Sequence, residues 1–343
     1  SEMCIRDRNH IVLLDKAFAP VCMPVDGYRS VVWSLRYQEP GTFSAVMPYA
    51  DVRDAIERAE YLAYGAYCGR IERCTASEGE LALRGRTLEC LLYDRLVARK
   101  FTYTGCVADA CYSLVTAACA DMPLVIDRDG AAFPETGTFG GEWRSAGALL
   151  RDMLSPYGAS YSVAYVPGET KCAFRLTRGT DKSSAGAVFS EDFGNIAHLT
   201  LEWDRSDLVD RLYVTGNDGT TVSVTREGAV VPYRDARITA KELDPADYEV
   251  FADYTDALEA RGAAYLAENG GELLRIDGSV ETGDAAGLPC ALGDLCTVVS
   301  PTMGYTGTAR LTEVEIVAEN GVVRVYPYFG DRRMTIREAI LGK

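Results

Sequence analysis

Alternating polar and apolar residues near both ends of the chain restrict its possible folds more than any other feature. The alternation has a period of two in "VVWSLRYQ" (31–38) and in "HLTLEWD" (198–204). Because successive side chains of a strand point to opposite faces, this pattern predicts strands with one buried face. Turn signals follow these runs, Pro40-Gly41 after the first and Asn217-Asp218-Gly219 farther along. Both ends are therefore predicted to be rich in β-structure.

The middle of the chain has a different pattern. Apolar residues at helical spacing predict helices in "ADACYSLVTAACA" (108–120) and "SAGALLRDMLSPYG" (145–158), with Ser145 as N-cap and Gly158 just past the end of the second. A hairpin around Pro167-Gly168 follows. Residues 101–186 are thus predicted to form an α+β insert between the β-rich regions 9–100 and 187–343.

Each β-rich region also contains helical spacing. In the first region the sequence predicts a short helix over 50–62, strands around a turn at 77–79, and a helix from about 87 to 97. It indicates a small barrel plugged by a helix. In the second region it predicts a helix over 254–268, capped by Gly270-Gly271, and then further strands. The expected fold class is mixed, β-rich α+β.

The first eight residues, "SEMCIRDR", match the translation of a transposase adapter used to prepare sequencing libraries. No apolar segment or cleavage site of a signal peptide follows them. We interpret residues 1–8 as an artefact of sequencing and exclude them.

Composition and charge narrow the functional classes. The chain has 343 residues, of which 48% are hydrophobic and 25% charged, and its formal net charge is -15. The most apolar window, 107–126, contains Asp109, Asp121 and Pro123, which a membrane-spanning helix carries only at a cost. The negative charge argues against a surface that binds nucleic acid by neutralising phosphates.

The eleven cysteines do not indicate a disulfide framework or a zinc site, since their number is odd and no CxxC pair occurs. Cys106, Cys111 and Cys119 lie in or near an apolar helical segment, which favours buried small side chains. A reducing cytoplasm is the expected folding compartment. No metal site or cofactor is predicted.

Catalytic constellations are not evident in the sequence. His10 and His198 are the only histidines, which leaves few bases for a nucleophile. Glu191 and Asp192 are neighbours and would point to opposite faces of a strand, so they do not suit the paired carboxyl groups of a glycosidase. Asp204 and Asp207 lie in a charged turn. The sequence therefore does not predict an enzyme.

The order of several segments resembles a known family. These segments are "LRYQEPGTFSAVMP", "GRIERC", "LRGRTLECLLYDR", "AVFSEDFGNIAHLTLEWDRSDLVDRLYVTG", "LPCALGDLCTVVS" and "ARLTEVEIVAENGVVRVYPYFG". Together they resemble the hub proteins at the tail tip of long-tailed, non-contractile bacteriophages. That family is similar to the baseplate hub of contractile phages and to the N-terminal structural region of tail-associated lysins.

The resemblance implies a structural function. It implies two related β-barrels, 9–100 and 187–343, around the insert, with three chains closing into a ring of pseudo-sixfold symmetry at the virion tail tip. Such a homotrimer would match a sixfold tail tube to a threefold tip and pass DNA during ejection. The implied partners are the distal tail protein or tail tube, the tape-measure protein, and tip spike or receptor-binding proteins. Assembly would take place in the cytoplasm of the bacterial host.

The most specific pieces of the resemblance supply the candidate structural residues. We expect Phe189 and Phe193 to anchor the entry of the chain into the second barrel by burial, and the following residues to form a sharp turn. The signature residues are Pro40, Gly41, Phe189, Ser190, Phe193, Gly194, Asn195, Gly293 and Asp294.

Alternative functions remain open. Twenty tyrosines and three tryptophans could form the stacking surface of a carbohydrate- or receptor-binding tail module, although strand packing also explains runs such as "VVWSLRY" and "LEWD". A tail-associated cell-wall hydrolase is the other alternative. The hub of a contractile particle belongs to the same structural class. The sequence does not identify the host.

Overall fold

The computed structural model describes residues 10–128, 133–166, 168–184, 186–206, 208–240, 243–248, 250–269, 273–280, 287–319 and 321–330. These residues belong to two compact units. The first extends to Leu199 and resumes from Asp277 to Phe329, and the second begins at Thr200 and reaches Ile276. The predictions for residues 1–8, Pro167, Asp207 and Gly270-Gly271 fall outside the described residues.

Most of the regular structure is β-strand. In chain order the first strands are β1 Ile11–Leu14, β2 Ser30–Arg36, β3 Thr42–Pro48, β4 Tyr61–Tyr64, β5 Tyr67–Ser77, β6 Glu80–Thr87, β7 Phe101–Cys106, β8 Leu124–Asp127, β9 Thr136–Gly141, β10 Ala159–Tyr165, β11 Cys172–Arg178, β12 Val188–Ser190 and β13 Ala197–Asp204. The later strands are β14 Arg211–Gly216, β15 Thr221–Thr225, β16 Asp235–Ala240, β17 Leu273–Ser279, β18 Leu295–Ser300, β19 Tyr305–Glu319 and β20 Val322–Gly330.

The α-helices among the described residues are α1 Cys90–Tyr93, α2 Val107–Ala118, α3 Ala146–Leu154 and α4 Phe251–Asn269. Ser145 caps α3 as the sequence predicts, because its hydroxyl accepts a hydrogen bond from the N–H of Ala148 at 3.2 Å. The 3-10 turn Ser155–Tyr157 follows α3, and Gly158 ends it in the left-handed conformation, with φ 59°. The predicted β-rich α+β fold class is therefore confirmed.

The main sheet of the first unit joins early and late parts of the chain. Its strands follow the order β1-β4-β5-β6-β3-β2-β19-β20, and β18 links β19 to β12. The fifteen-residue strand β19 makes this possible, because its first part pairs with β18 and its second part lies between β2 and β20. The pairings among these described strands give an open path, so the arrangement as two barrels stays a prediction.

Besides the main sheet, the first unit contains a smaller sheet that is covered by two helices. Strands β10, β11 and β8 form this three-stranded sheet, and α2 and α3 pack against it. Leu114, Leu150, Phe174 and Leu176 are fully buried in the shared core. Burying each such side chain stabilises the fold by about 1.5–3 kcal/mol relative to exposure.

The second unit is built from one helix and one sheet. Strand β14 lies in the middle, antiparallel to β15 and parallel to β16. Helix α4 buries the single stripe Tyr254, Leu258, Gly262 and Leu266, spaced four residues apart. A Cβ on Gly262 would lie 2.8 Å from side-chain atoms of Val214 and Val224, so the glycine lets the helix approach the sheet closely.

Two predicted helices are wrong. Residues 50–62 form two 3-10 turns, Tyr49–Asp51 and Ile56–Arg58, and then enter β4. The helical spacing there comes mainly from Val52 and Ala55, which are buried one turn apart, and the chain must become extended again to pair with β1. The helix expected over 87–97 is only the four-residue α1, because Val97 leaves it to pair with Arg144.

In the turn between β2 and β3, the positive φ does not fall on the predicted Pro40-Gly41 pair. Gln38 takes the positive φ, at 72°, whereas Gly41 is buried and does not. The N–H of Gly41 donates to Oγ1 of Thr87 at 2.8 Å, and a Cβ on Gly41 would lie 1.8 Å from the carbonyl oxygen of Ser34. Gly41 is therefore needed for close backbone packing rather than for turn geometry.

We expect Gly41→Ala to lower the free energy of unfolding by roughly 3 kcal/mol, because the methyl group would overlap a backbone atom that cannot rotate away. Gly27→Ala is the matched control, since its Cβ would lie 3.8 Å from the nearest atom and its φ is not positive. Urea denaturation of both variants measures the difference. Equal stability of the two variants would contradict the packing explanation.

Candidate functional site

The segment that leads from β12 to β13 forms a tight turn, here called the re-entry turn (residues 188–195). The N–H of Phe193 donates to the carbonyl of Ser190 at 3.2 Å, and the N–H of Gly194 donates to that of Glu191 at 3.0 Å. Gly194 has φ 64°, and a Cβ there would have no neighbour within 4 Å. The constraint at this position is thus conformational rather than steric.

Asn195 closes the re-entry turn with its side chain. Its Oδ1 accepts a hydrogen bond from the N–H of Ser190 at 2.8 Å, and its Nδ2 donates to the carbonyl of Val188 at 2.6 Å. The amide therefore satisfies two backbone groups of β12, much as a neighbouring strand would. The sequence argument assigned Asn195 only to the turn and missed this contact.

The two phenylalanines of the re-entry turn have different environments. Phe189 is fully buried and meets Phe329 edge to face, with the ring centroids 4.9 Å apart. Phe193 is 70% exposed. The prediction that Phe193 anchors the chain by burial is wrong, because it lies at the outward tip of the turn whereas Phe189 lies in a strand that faces the core.

A buried carboxylate organises the start of β18. Asp294 accepts hydrogen bonds at Oδ1 from the N–H of Thr180 at 2.8 Å and from its hydroxyl at 3.1 Å. Its Oδ2 accepts one from the N–H of Ala291 at 2.8 Å and contacts the ammonium group of Lys182 at 2.7 Å. Both carboxylate oxygens thus have two donors, so Asp294 serves to fix the surrounding backbone.

We call this cluster and its neighbours the Asp294 junction, which comprises Tyr37, Gly158, Gly179, Thr180, Lys182, Gly293, Asp294 and Arg310. Gly293 has φ 96°, and a Cβ there would lie 2.3 Å from the ring of Tyr37. A Cβ on Gly179 would lie 1.7 Å from the carbonyl oxygen of Gly293. Two segments more than a hundred residues apart therefore cross in direct backbone contact.

Tyr37 connects the junction to three parts of the chain. Its hydroxyl donates to the carbonyl of Gly158 at 2.8 Å and accepts from the N–H of Gly179 at 3.1 Å. Its own N–H donates to the carbonyl of Thr312 at 2.9 Å, and the guanidinium of Arg310 lies 5.8 Å from its ring centroid. The sequence analysis treated Tyr37 only as a strand residue. The tyrosine directly after a strand is a weak signal of this role.

The two ionised groups of the junction, Asp294 and Lys182, stabilise each other's charged form. Burial by itself would raise the pKa of Asp294, but the Lys182 ammonium and the N–H groups of Thr180 and Ala291 outweigh it, so the pKa is lowered. The same hydrogen bond to Asp294 raises the pKa of Lys182. Burial raises the pKa of Tyr37. At neutral pH the junction holds an ionised carboxylate, an ammonium and a neutral phenol.

The cysteines of the described residues are all free thiols. Cys111 and Cys119 are buried in the core around α2, and Cys106 is half-buried with its thiol 2.9 Å from the carbonyl oxygen of Phe133. Burial raises the pKa of Cys111 to about 12 and that of Cys119 to about 11. These thiols behave as small apolar side chains.

Among the described residues, the His, Cys, Asp and Glu side chains do not come together in a metal-binding cluster. Glu191 accepts a hydrogen bond from the Ser300 hydroxyl at 3.1 Å, and Asp204 accepts one from the N–H of Ser206 at 2.8 Å. His198 is exposed. Within the described ranges there is no set of three or more His, Cys, Asp or Glu side chains placed to bind a metal ion. None of the helices described there is long and apolar enough to cross a membrane.

A shallow cavity of about 410 Å³ lies beside strand β8. Val125 and Val166 form apolar parts of its wall, and Asp127, Glu169 and Lys171 supply charges of both signs. The cavity is separate from every signature residue.

Comparison with known proteins identifies the family. The family model described as "Siphovirus ReqiPepy6 Gp37-like protein" matches residues 11–331. No curated protein sequence matches the chain. The predicted resemblance to tail proteins of long-tailed, non-contractile bacteriophages is confirmed.

Solved structures share the fold over nearly the whole chain. A tail protein from Neisseria meningitidis MC58 has 14% sequence identity and a TM-score of 0.61, with 94% of this chain and 97% of that chain covered. The 43 kDa tail protein of prophage MuSo2 from Shewanella oneidensis has 12% identity and a TM-score of 0.63, with 93% and 98% covered. Prophage tail protein gp18 from Listeria monocytogenes EGD-e has 10% identity and a TM-score of 0.54, with 97% and 98% covered.

Substitutions at Gly194 test the re-entry turn. We expect Gly194→Val to lower the free energy of unfolding by about 2 kcal/mol and to reduce the yield of soluble protein, since a β-branched residue adopts positive φ poorly. Gly194→Asn should cost less, because asparagine tolerates this conformation best among the other residues. Denaturation curves of the two variants give the comparison. A similar loss in both would show that φ is not the constraint.

Substitution of Asp294 tests the junction through pH. The folded pKa lies below the ordinary value of about 3.9, so ionised Asp294 contributes stability above that pH, and the contribution is lost as pH falls through the lowered pKa. We expect Asp294→Asn to cost about 2–4 kcal/mol at pH 7 and clearly less below pH 4. Urea denaturation of the parent and the variant at pH 7 and at a pH below 4 measures the two costs. Asp192→Asn, at an exposed position, is the control, and a cost for Asp294→Asn that does not depend on pH would contradict the charge argument.

Proposed function

Because the chain belongs to the Siphovirus ReqiPepy6 Gp37-like protein family, we propose that it is the structural hub at the tip of a long, non-contractile bacteriophage tail. The observation that carries this proposal is the match of the family model over residues 11–331. The fold shared with three tail proteins over at least 93% of this chain supports it. The location that follows is the virion tail tip.

The proposed assembly is a ring of three chains. Each chain would contribute two related β-barrels, from residues 9–100 and 187–343, with the insert 101–186 between them. A ring of this kind would present six similar faces to a sixfold tail tube and three equivalent faces to the tip, so neither partner would leave unpaired surface. The hub would thus act as an adapter between two symmetries.

The signature residues suit a structural role in such a ring. The re-entry turn and the Asp294 junction each fix a crossing of the chain by backbone contacts and hydrogen bonds. Both oxygens of Asp294 are already bound by donors, which leaves this carboxylate to hold the fold rather than to transfer protons. We propose that the signature preserves the chain crossings on which the ring surface rests.

The proposed partners follow from the position of a hub. They are further copies of the chain, the distal tail protein or tail tube, the tape-measure protein, and the tip spike or receptor-binding proteins. With a net charge of -15, a lumen lined by acidic groups would let DNA pass during ejection without holding it. A basic lumen in the assembled ring would contradict this part of the proposal.

The experiment is negative-stain imaging of the purified chain without residues 1–8, together with its mass in solution. A trimer that forms a threefold ring with a central opening is the expected result. A stable monomer at every concentration tested would contradict the self-assembling ring. A monomer that also binds isolated host cell wall would favour the receptor-binding alternative.

A further inference from the structure

Two cysteines lie on either side of a turn that belongs to the Asp294 junction. The N–H of Asp294 donates to the carbonyl of Ala291 at 3.0 Å, and the Asp294 carboxylate accepts a hydrogen bond from the N–H of Ala291 at 2.8 Å. Cys290 directly precedes this turn, and Cys296 follows it as the second residue of β18. Because further donors of the junction bind the same carboxylate, the turn and the cysteines beside it have a defined position.

The thiols of these two cysteines are neighbours in the interior. Cys290 is 5% exposed and Cys296 is fully buried. The Cys296 thiol lies within hydrogen-bonding reach of the Cys290 sulfur, and it also lies 3.9 Å from the carbonyl oxygen of Asp294. Both cysteines are free thiols in this structure. A small movement of the two side chains would bring their sulfur atoms to the separation of about 2 Å that a disulfide bond requires.

One member of the pair differs in acidity from the other buried cysteines that the structure describes. A hydrogen bond from the Cys296 thiol lowers the pKa of Cys290 and the Lys182 ammonium adds to this effect, whereas burial and the Asp294 carboxylate oppose it. The same hydrogen bond raises the pKa of Cys296. Burial raises the pKa of the remaining buried thiols, which are Cys68, Cys90, Cys111, Cys119 and Cys172. Cys290 therefore ionises first and is the nucleophile of the pair.

We propose that Cys290 and Cys296 form a site of reversible oxidation, at which a low-molecular-weight disulfide converts the two thiols into a disulfide bond within the chain. The Cys290 thiolate attacks one sulfur of the reagent, forms a mixed disulfide and releases one thiolate. Cys296 then gives its proton to that thiolate, attacks the Cys290 sulfur and expels the second thiolate of the reagent. Overall, the pair loses two electrons and two protons, and the reagent gains them as two thiols.

The positions of the two thiols in the fold set the order of these steps. Cys290 lies in an irregular segment before the turn, whereas Cys296 faces the core from a strand that pairs with β19. A local movement of the irregular segment exposes Cys290 to a reagent, but exposure of Cys296 requires the strands to separate. Cys296 is therefore the residue that resolves the mixed disulfide from inside the fold.

The disulfide would hold the turn independently of the charges around it. In the reduced chain the turn depends on the ionised Asp294 carboxylate, whereas a covalent bond also restricts the unfolded chain between residues 290 and 296. A chain assembled in a reducing cytoplasm and then released in a virion would form this bond after release. That timing rests on the proposed function, whereas the chemistry of the pair does not.

The experiment is incubation of the purified, folded chain with glutathione disulfide, followed by alkylation of the remaining thiols in urea and digestion with trypsin. The tryptic peptide 276–310 contains Cys290 and Cys296 and no other cysteine. We expect mass spectrometry to find this peptide unalkylated and lighter by two hydrogen atoms, and to find it alkylated after reduction with dithiothreitol. Peptide 101–128, with three cysteines in or near α2, is the internal control and should be alkylated throughout. The oxidised chain should also unfold at a higher urea concentration than the reduced chain.

Single variants separate the two steps of the reaction. Cys296→Ala removes the resolving thiol, so we expect glutathione to remain attached to Cys290 as a mixed disulfide. Cys290→Ala removes the nucleophile, so Cys296 should stay unmodified because it is fully buried. Cys111→Ala, which removes a fully buried thiol of the core around α2, is the matched control and should leave the oxidation of peptide 276–310 unchanged.

Complete alkylation of peptide 276–310 after the incubation overturns the proposal, as does a disulfide that joins Cys290 or Cys296 to a third cysteine. Oxidation of the pair only when urea is present overturns it as well, because the two thiols would then not be placed for reaction by the fold. A threefold ring formed by a chain that does not oxidise would overturn this site and leave the proposed hub function standing.

Discussion

The pairing of β19 with β2 is the contact on which the first unit depends. It joins Glu313 to Arg36 and Ile316 to Trp33, residues roughly 280 positions apart. Closing so long a loop costs conformational entropy before any contact repays it, so the strand needs strong local support. That support comes from β20 and β18, which pair with the same strand, and from the buried Glu313, which contacts Arg36 and the Ser34 hydroxyl.

An irregularity in β19 couples this pairing to the Asp294 junction. The register between β19 and β20 shifts between Leu311 and Glu313, and the carbonyl of the intervening Thr312 accepts a hydrogen bond from Tyr37. Tyr37 in turn binds the backbone of Gly158 and Gly179. The bulge, the junction and the insert are thus positioned by one set of contacts. In the proposed hub, such cross-linking of distant segments would keep the surface of the ring rigid.

The two kinds of unusual residue in the first unit have opposite physical meaning. Gly179 and Gly293 occupy positions where any side chain would overlap a neighbour, so they serve the packing of this chain alone. Trp143 occupies a position where its side chain contacts little and its backbone is strained. Its conformation is therefore not required by packing within the described part of the chain.

Much of the local structure follows from the sequence by itself. The alternation in "VVWSLRY", the cap at Ser145 and the apolar stripe of α4 predict elements that the structure contains, because each depends on neighbours within a few residues. The segment Phe-Ser-x-x-x-Gly-Asn, one of those that carried the resemblance to the family, also follows from local geometry. Its glycine adopts a positive φ in the turn, and its asparagine side chain accepts a hydrogen bond from the backbone of the same turn.

Only the tertiary structure decided the rest. Helical spacing over 50–62 gave way to 3-10 turns because β4 has to reach β1, and Phe193 is exposed because the re-entry turn points it outward. The Tyr37 hydroxyl has its partners 121 and 142 positions away, and the Asp294 carboxylate binds Thr180, 114 positions away; no spacing rule in one sequence specifies them. Sequence determined the short-range geometry of this protein, whereas contacts between distant segments, whose entropy cost is met only in the whole fold, decided its junctions and exposed surfaces.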